Sequence, residues 1–151
     1  MSTMYRLILF VAMTLVGMKA AYAEEFSVKI MTRDNKPVGS YLADGNGMTL
    51  YWKKHDSPGK STCTGPCVDN WPAVNLPATM TLPPKLKASD FGSIRRADGV
   101  TQSTFREYPL YYYVQDKAPG DVKGQGVNNE FYVVNPEFFP PRDPGTLYGK
   151  H

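Results

Sequence analysis

One unit of sequence occurs twice in this chain, and this duplication constrains the fold more than any other feature. The first copy reads "LYWKKHDSPGKSTCTGPCVDNWPAV" from Leu50, and the second reads "LYYYVQDKAPGDVKGQGVNNEFYVV" from Leu110. Each copy has Leu-Tyr, four further residues and an aspartate, and then a Pro-Gly pair. The matched positions are Tyr51 with Tyr111, Asp56 with Asp116, and Pro58-Gly59 with Pro119-Gly120. The chain therefore contains two copies of one structural unit.

The unit predicts an all-β fold. The tripeptide "ADG" occurs upstream in both copies, at Ala43 and at Ala97, and Asp-Gly pairs are typical of hairpin turns. The segments "MTLYW", "PLYYYV", "WPAV" and "FYVV" are rich in residues that favour strands. Neither copy alone buries both faces of so small a sheet. We expect a single domain made of two tandem β-hairpin repeats related by a pseudo-twofold axis.

The domain boundaries follow from the same pattern. Residues 1–23 have the basic, apolar and small-residue regions of a cleavable signal peptide, with cleavage predicted after Ala23. The two-repeat β domain is predicted over residues 24–134, with repeats at about 40–76 and 94–134. Residues 135–151 are rich in proline and predict an extended C-terminal tail, with Phe138 and Phe139 docked or awaiting a partner.

Charge and segment hydrophobicity exclude two classes of partner. The formal charge of the whole chain is +3, and removal of Arg6 and Lys19 with the signal peptide lowers it by two. The remaining basic residues are scattered, whereas nucleic-acid binding requires a basic stripe. No second apolar run follows the signal peptide, and no cysteine stands directly after its apolar core, where a lipid would be attached. We expect a periplasmic or secreted protein with neither a membrane span nor a lipid anchor.

The repeated motif resembles that of a known family. "YYYVQD" at Tyr111 to Asp116 is similar to the Y-x-(F/W/Y)-x-x-D signature of bacterial secreted repeats and predicted lipoproteins. "LYWKKHD" resembles the other copy, except that Lys53 replaces the third-position aromatic, and "C-x-G-x-C-x-x-x-W-P" at Cys63 to Pro72 is also typical of members. The resemblance covers roughly residues 40–134. It implies a secreted protein whose biochemistry is largely unassigned, and the missing lipobox cysteine sets this chain apart from the lipoprotein members.

The motif residues allow two interpretations. The residues concerned are Tyr51, Asp56, Trp71, Tyr111, Tyr113 and Asp116. In the structural interpretation, each carboxylate holds a Pro-Gly corner and each buried phenol finds a partner. In the functional one, carboxylates and phenols line a cleft and bind a ligand or act as acid and base. We favour the structural interpretation, because a duplicated catalytic centre would be unusual.

The two cysteines occur in the first copy only. Matching Gly65 with Gly124 places Cys63 on Val122 and Cys67 on Gly126, so the second copy lacks both partners together. In an oxidising compartment the pair predicts a disulfide. The alternative is a copper site of Cys63, Cys67 and His55, to which Met48 or Met80 adds a thioether. Zinc and haem have weaker support, because neither a four-ligand set nor C-x-x-C-H occurs.

These observations lead to one functional hypothesis and two alternatives. The leading hypothesis is a non-enzymatic exported module that acts by binding or in a structural role, with an envelope protein or glycan as partner and no cofactor. The first alternative is a periplasmic copper or thiol-redox protein that uses the C-x-x-x-C loop. The second is a small acid/base enzyme, although G-x-S-x-G, H-E-x-x-H and phosphate-loop motifs are absent from the sequence. No catalytic residue is assigned.

Overall fold

A computed structural model describes residues 26–33 and 38–141. The strands are β1 Val28–Arg33, β2 Gly39–Asp44, β3 Tyr51–Lys53, β4 Phe91–Arg95, β5 Thr101–Phe105, β6 Tyr108–Pro109 and β7 Phe131–Val133. One short α-helix, α1, spans Pro66–Asn70, and single 3₁₀ turns span Ala88–Asp90 and Val127–Asn129. The strands form three small antiparallel sheets, β1-β2, β3-β7 and β4-β5-β6. The predicted all-β class is therefore confirmed.

The sheets join the two repeats into one unit. Strand β3 of the first repeat pairs with β7 of the second, in the register Tyr51 with Val133 and Lys53 with Phe131. A single antiparallel bridge then joins Tyr51 to Tyr111. Because the central sheet takes one strand from each repeat, neither repeat completes its sheet without the other.

The pseudo-twofold relation is visible in the backbone hydrogen bonds. Each half contains a closed ring of three bonds, all between 2.7 and 3.0 Å. In one ring Val134 donates to Leu50, Leu50 to Leu42 and Leu42 to Val134; in the other Val74 donates to Leu110, Leu110 to Ser103 and Ser103 to Val74. The equivalence of Val74 with Val134 in turn aligns Trp71 with Phe131.

The two "ADG" tripeptides are not equivalent, so that part of the sequence comparison was wrong. Asp98-Gly99 forms the turn between β4 and β5, with φ +82° at Gly99. Asp44-Gly45 instead lies at the end of β2, at the position that Phe105-Arg106 occupies at the end of β5. There the second repeat makes its turn with positive φ at Arg106 and Glu107 rather than with glycine. Identical tripeptides serve different turns, because many hairpin turns accept the same residues.

The predicted strands "PLYYYV" and "WPAV" are shorter than expected. Only Tyr108–Pro109 is a strand, and Tyr111 and Ala73 meet in an isolated bridge. Tyr112 donates its N–H to the Pro72 carbonyl, but Pro72 has no N–H to return. Proline therefore ends the ladder on this side after a single bridge.

The core is aromatic and includes the start of the C-terminal segment. Its largest fully buried side chains are Tyr41, Tyr51, Tyr111, Phe105 and Phe131. Phe139 packs on Trp52, Phe105 and Tyr108, whereas its neighbour Phe138 is 57% exposed. Arg106 holds this segment by donating to the Pro136 and Phe139 carbonyls. The rest of the predicted tail, 142–151, and the predicted signal peptide, 1–23, lie outside the described residues.

Candidate functional site

The two motif tyrosines meet at the interface between the repeats. Tyr51 begins β3, and Tyr111 lies opposite it in the antiparallel bridge. Each donates its backbone N–H to the carbonyl of the other, both at 2.9 Å. The backbone pair therefore lies at the pseudo-twofold axis that relates the repeats, and the two side chains extend from it into the core.

Each tyrosine bonds to the aspartate of the other repeat. The Tyr51 hydroxyl donates to Asp116 Oδ2 at 2.7 Å, and the Tyr111 hydroxyl donates to Asp56 Oδ2 at 2.5 Å. The tyrosines are 0% exposed, and Asp56 and Asp116 are 7% and 6% exposed. The motif thus works across the interface, since the partner of each Tyr lies in the other copy of the motif. We refer to these two bonds as the exchanged Tyr-Asp pairs.

The second oxygen of each carboxylate holds the following loop. Asp56 Oδ1 accepts from the N–H and the hydroxyl of Thr62, both at 2.7 Å, and Asp116 Oδ1 accepts from the Lys123 N–H at 3.0 Å. The Gly124 N–H donates to the Tyr51 hydroxyl at 3.1 Å. A buried carboxylate is stabilised by several such donors. Each aspartate therefore ties its own Pro-Gly loop to the tyrosine of the other repeat.

This equivalence corrects the predicted position of the cysteines. Thr62 and Lys123 occupy the same place relative to their aspartates. The next residue in each copy is Cys63 and Gly124, whereas the sequence comparison placed Cys63 on Val122. The shift is two residues, because the match of Gly65 with Gly124 abandons the one-residue insertion already present at Pro119-Gly120 and removes one residue more, whereas the structure keeps the insertion.

The electrostatics of the exchanged pairs favour neutral phenols. Burial raises the pKa of Tyr51 far above its usual range, and the hydrogen bond to Asp116 raises it further. Burial likewise raises the pKa of Tyr111, with the charge of Asp56 as the next cause. Burial also raises the pKa of Asp116, although the Tyr51 hydrogen bond acts in the opposite direction. Phenols that hold their protons so firmly neither release them as general acids nor provide a free phenolate as a general base, and burial separates them from a substrate.

A third tyrosine-aspartate bond was missed in the sequence. Tyr112 of the second repeat donates to Asp44 Oδ2 of the first at 2.9 Å, while Asp44 Oδ1 accepts from the N–H groups of Asn46 and Met48. Asp44 was recognised only as a turn residue. Nothing in the sequence connects it with Tyr112, which lies 68 positions away.

The corresponding position in the first repeat has no such bond. Trp52 follows Tyr51 as Tyr112 follows Tyr111, and Phe105 ends β5 as Asp44 ends β2. Phenylalanine offers no acceptor. The Trp52 indole N–H is buried and has no hydrogen-bond partner among the described residues. The asymmetry of the repeats therefore accounts for this unpaired donor.

Trp71 and Tyr113 form an aromatic stack between the repeats. The centroid of the Trp71 ring lies 3.7 Å from the centroid of the Phe131 ring, with an interplanar angle of 3°. It lies 4.2 Å from the centroid of the Tyr113 ring, on which it also stacks. Tyr51 meets Trp71 edge-on at 5.4 Å, and Tyr111 meets Phe131 in the same way at 5.7 Å. The stack packs the exchanged pairs from the side.

Cys63 and Cys67 form a disulfide, which confirms the predicted pairing. Its loop leads into α1 and is tied to the second repeat by Arg96, which is buried. Arg96 Nη2 donates to the Cys63 carbonyl at 2.5 Å, and Nη1 donates to Gln102 at 2.9 Å. Sequence analysis missed Arg96, because one arginine in a strand-turn segment carries no pattern. The disulfide loop thus contributes to the contact between the repeats.

The residues proposed for copper occupy different surroundings. His55 is exposed, and its Nδ1 lies 3.3 Å from Glu130 Oε1. Met48 is half-buried and follows the turn that Asp44 holds. Within residues 26–33 and 38–141, no three His, Cys, Asp or Glu side chains group closely enough to hold a metal. Both thiols are in the disulfide, and the copper site stays a prediction.

Comparison with known proteins places the repeats in one family. The sequence model of Lipoprotein_15, described as a secreted repeat of unknown function, matches residues 31–75 and 92–135, more than half of the chain. Both exchanged pairs lie within the two matches. No match was found among curated proteins or among solved structures. In the part of the chain that the structure describes, no helix is long and apolar enough to cross a bilayer.

Proposed function

The chain belongs to the Lipoprotein_15 family of secreted repeats of unknown function, and we propose that it is an exported, non-enzymatic module of the cell envelope. In this proposal the motif residues hold the two repeats together, and binding takes place elsewhere on the surface. The expected location is the periplasm or the medium, after cleavage behind Ala23.

The observation that carries the proposal is the exchange of the Tyr-Asp pairs. Four buried groups satisfy one another across the interface between the repeats. A catalytic acid and base need contact with substrate. Groups that are closed off in this way are suited to fixing the geometry of the domain. The motif therefore favours a structural role over catalysis.

A double-mutant cycle of Tyr51→Phe and Asp116→Asn tests the structural role. Removing a hydrogen bond to a charged group lowers the free energy of unfolding by about 1.5–3 kcal/mol. The double variant should lose less than the sum of the single variants, since the two residues share one bond. Tyr113→Phe is the matched control, because the Tyr113 ring stacks on Trp71 but its hydroxyl takes no part in the exchanged pairs.

The same purified variants decide between a structural and a catalytic role of the motif residues. We expect reduced stability and strong coupling in urea denaturation followed by tryptophan fluorescence. A saturable turnover that Asp116→Asn abolishes without changing stability would overturn the proposal. The intact mass of protein recovered from the envelope and medium of the source cells tests export, with Glu24 as the expected first residue.

A further inference from the structure

A cavity of about 320 Å³ lies between the segment that joins the two repeats and the β4-β5 hairpin, outside the exchanged pairs. One wall comes from residues 76–90, which we call the linker, and the floor comes from the β4-β5 hairpin. The whole linker falls between the two family matches. The cavity is therefore a feature of how this chain joins its repeats. Its volume lies within the range of roughly 300–1,000 Å³ that small-molecule sites occupy.

The lining of the cavity is uncharged. Its apolar surface comes from Leu76, Pro77, Met80, Leu82 and Phe91, and its polar groups are Asn75 and hydroxyls. None of the described residues that line it is ionisable. A smaller cavity beside the disulfide loop, about 230 Å³, includes Lys60, Arg95 and Asp98 instead. Burying a charged ligand without a partner is costly. Although most of its lining residues are exposed, the 320 Å³ cavity thus offers an ion no charged partner.

The polar groups of the cavity lie on its hairpin side. Ser103 is 3% exposed, and its Oγ accepts from the Leu76 N–H at 2.8 Å. Ser93 and Thr101 add exposed hydroxyls on the two strands. A few placed hydroxyls on an otherwise apolar wall can orient a carbonyl or hydroxyl group of a ligand.

The linker wall is held in place by β1 on one side and by β5 on the other. Thr81 donates its N–H to the Phe26 carbonyl at 2.9 Å and accepts from the Val28 N–H at 3.1 Å, which attaches the linker to β1. On the other side, the Leu76 N–H bonds to Ser103 of β5. These hydrogen bonds hold the wall in place, so binding of a ligand does not require the conformational entropy of the linker to be lost.

We propose that this cavity binds a neutral, largely apolar small molecule that carries one or two hydroxyl or carbonyl groups. The inference rests on the proposed binding role and supplies its ligand class. A volume near that of about ten water molecules suits a compound of one to three fused or linked rings, or a short acyl chain.

A matched pair of fluorescent probes tests the ligand class on the full mature protein. N-phenylnaphthylamine is neutral, and anilinonaphthalene sulfonate has the same aromatic skeleton with a negative charge. We expect saturable binding of the neutral probe at one site per chain, and binding of the sulfonate at least about tenfold weaker.

Two substitutions locate the site. Ser93→Asp places a charge on the floor, and Ala78→Trp fills space from the linker wall; both positions are exposed in the free protein, so the fold should be retained. Each should weaken the neutral probe at least about tenfold. Ser57→Asp, on a turn outside the cavity, should leave it unchanged.

The results separate this inference from the proposed function. Absent or unsaturable binding, equal binding of both probes, or binding that neither cavity variant weakens would overturn the ligand site. None of these results changes the stability coupling of Tyr51 with Asp116. Loss of that coupling with intact probe binding would instead overturn the structural role of the motif.

Discussion

Alkaline pH should destabilise the fold through two buried tyrosines and one half-buried tyrosine. The pKa values of Tyr51, Tyr111 and Tyr112 are all raised, in each case first by burial and then by a neighbouring aspartate. In the unfolded chain a tyrosine titrates near pH 10. The unfolded state therefore releases protons that the folded state retains. Stability is fully present below about pH 10 and is lost as the pH rises further.

The magnitude follows from this difference in proton binding. One unit above the unfolded pKa, each phenol that stays protonated in the folded state costs about 1.4 kcal/mol. Three of them together cost about 4 kcal/mol near pH 11, a large part of the 5–15 kcal/mol that is typical of a domain. The fold should therefore lose a substantial part of its stability there, although none of its cross-repeat contacts is removed directly.

The assay is urea denaturation at several pH values, followed by tryptophan fluorescence, with tyrosinate absorbance recorded in parallel. Tyr111→Phe removes one of the three groups, so its loss of stability with pH should be about one third smaller than in the wild type. Tyrosinate absorbance equivalent to every tyrosine near pH 10 in a protein that remains folded would refute the reasoning.

Three further predictions concern two packing contacts and the disulfide. Gly124→Ala should lower the free energy of unfolding by about 1–3 kcal/mol, because its Cβ would lie 2.7 Å from the Trp71 ring; an unchanged urea midpoint would contradict the close approach. Phe139→Ala should cost about 3–5 kcal/mol and the adjacent Phe138→Ala less than about 0.5, since only Phe139 is buried. Equal changes in Tm for the two variants would mean that the start of the C-terminal segment does not pack on the core. Reduction of Cys63–Cys67 should cost only about 2 kcal/mol and leave the fold intact in circular dichroism; global unfolding on reduction would assign the disulfide a larger role.

Short-range features of the fold could be read from the sequence. The duplicated motif predicted two repeats, the β-forming segments predicted the class, and the paired cysteines predicted a disulfide across three intervening residues. The Asp98-Gly99 turn was also correct, because a hairpin turn depends on neighbouring residues. In each case the interacting groups are close in sequence, so local preference decides the outcome.

Only the tertiary structure decided which residues meet across the repeats. Tyr51 and Asp116 are 65 positions apart, and their contact depends on the second repeat returning against the first. A motif repeated identically does not reveal whether each tyrosine bonds within its own copy or to the other. The Tyr112-Asp44 bond, the Arg96 contact with Cys63 and the uncharged cavity have the same origin. The sequence alone thus determined the repeated unit, and the packing of one unit on the other determined the partners, because long-range contacts leave no local pattern.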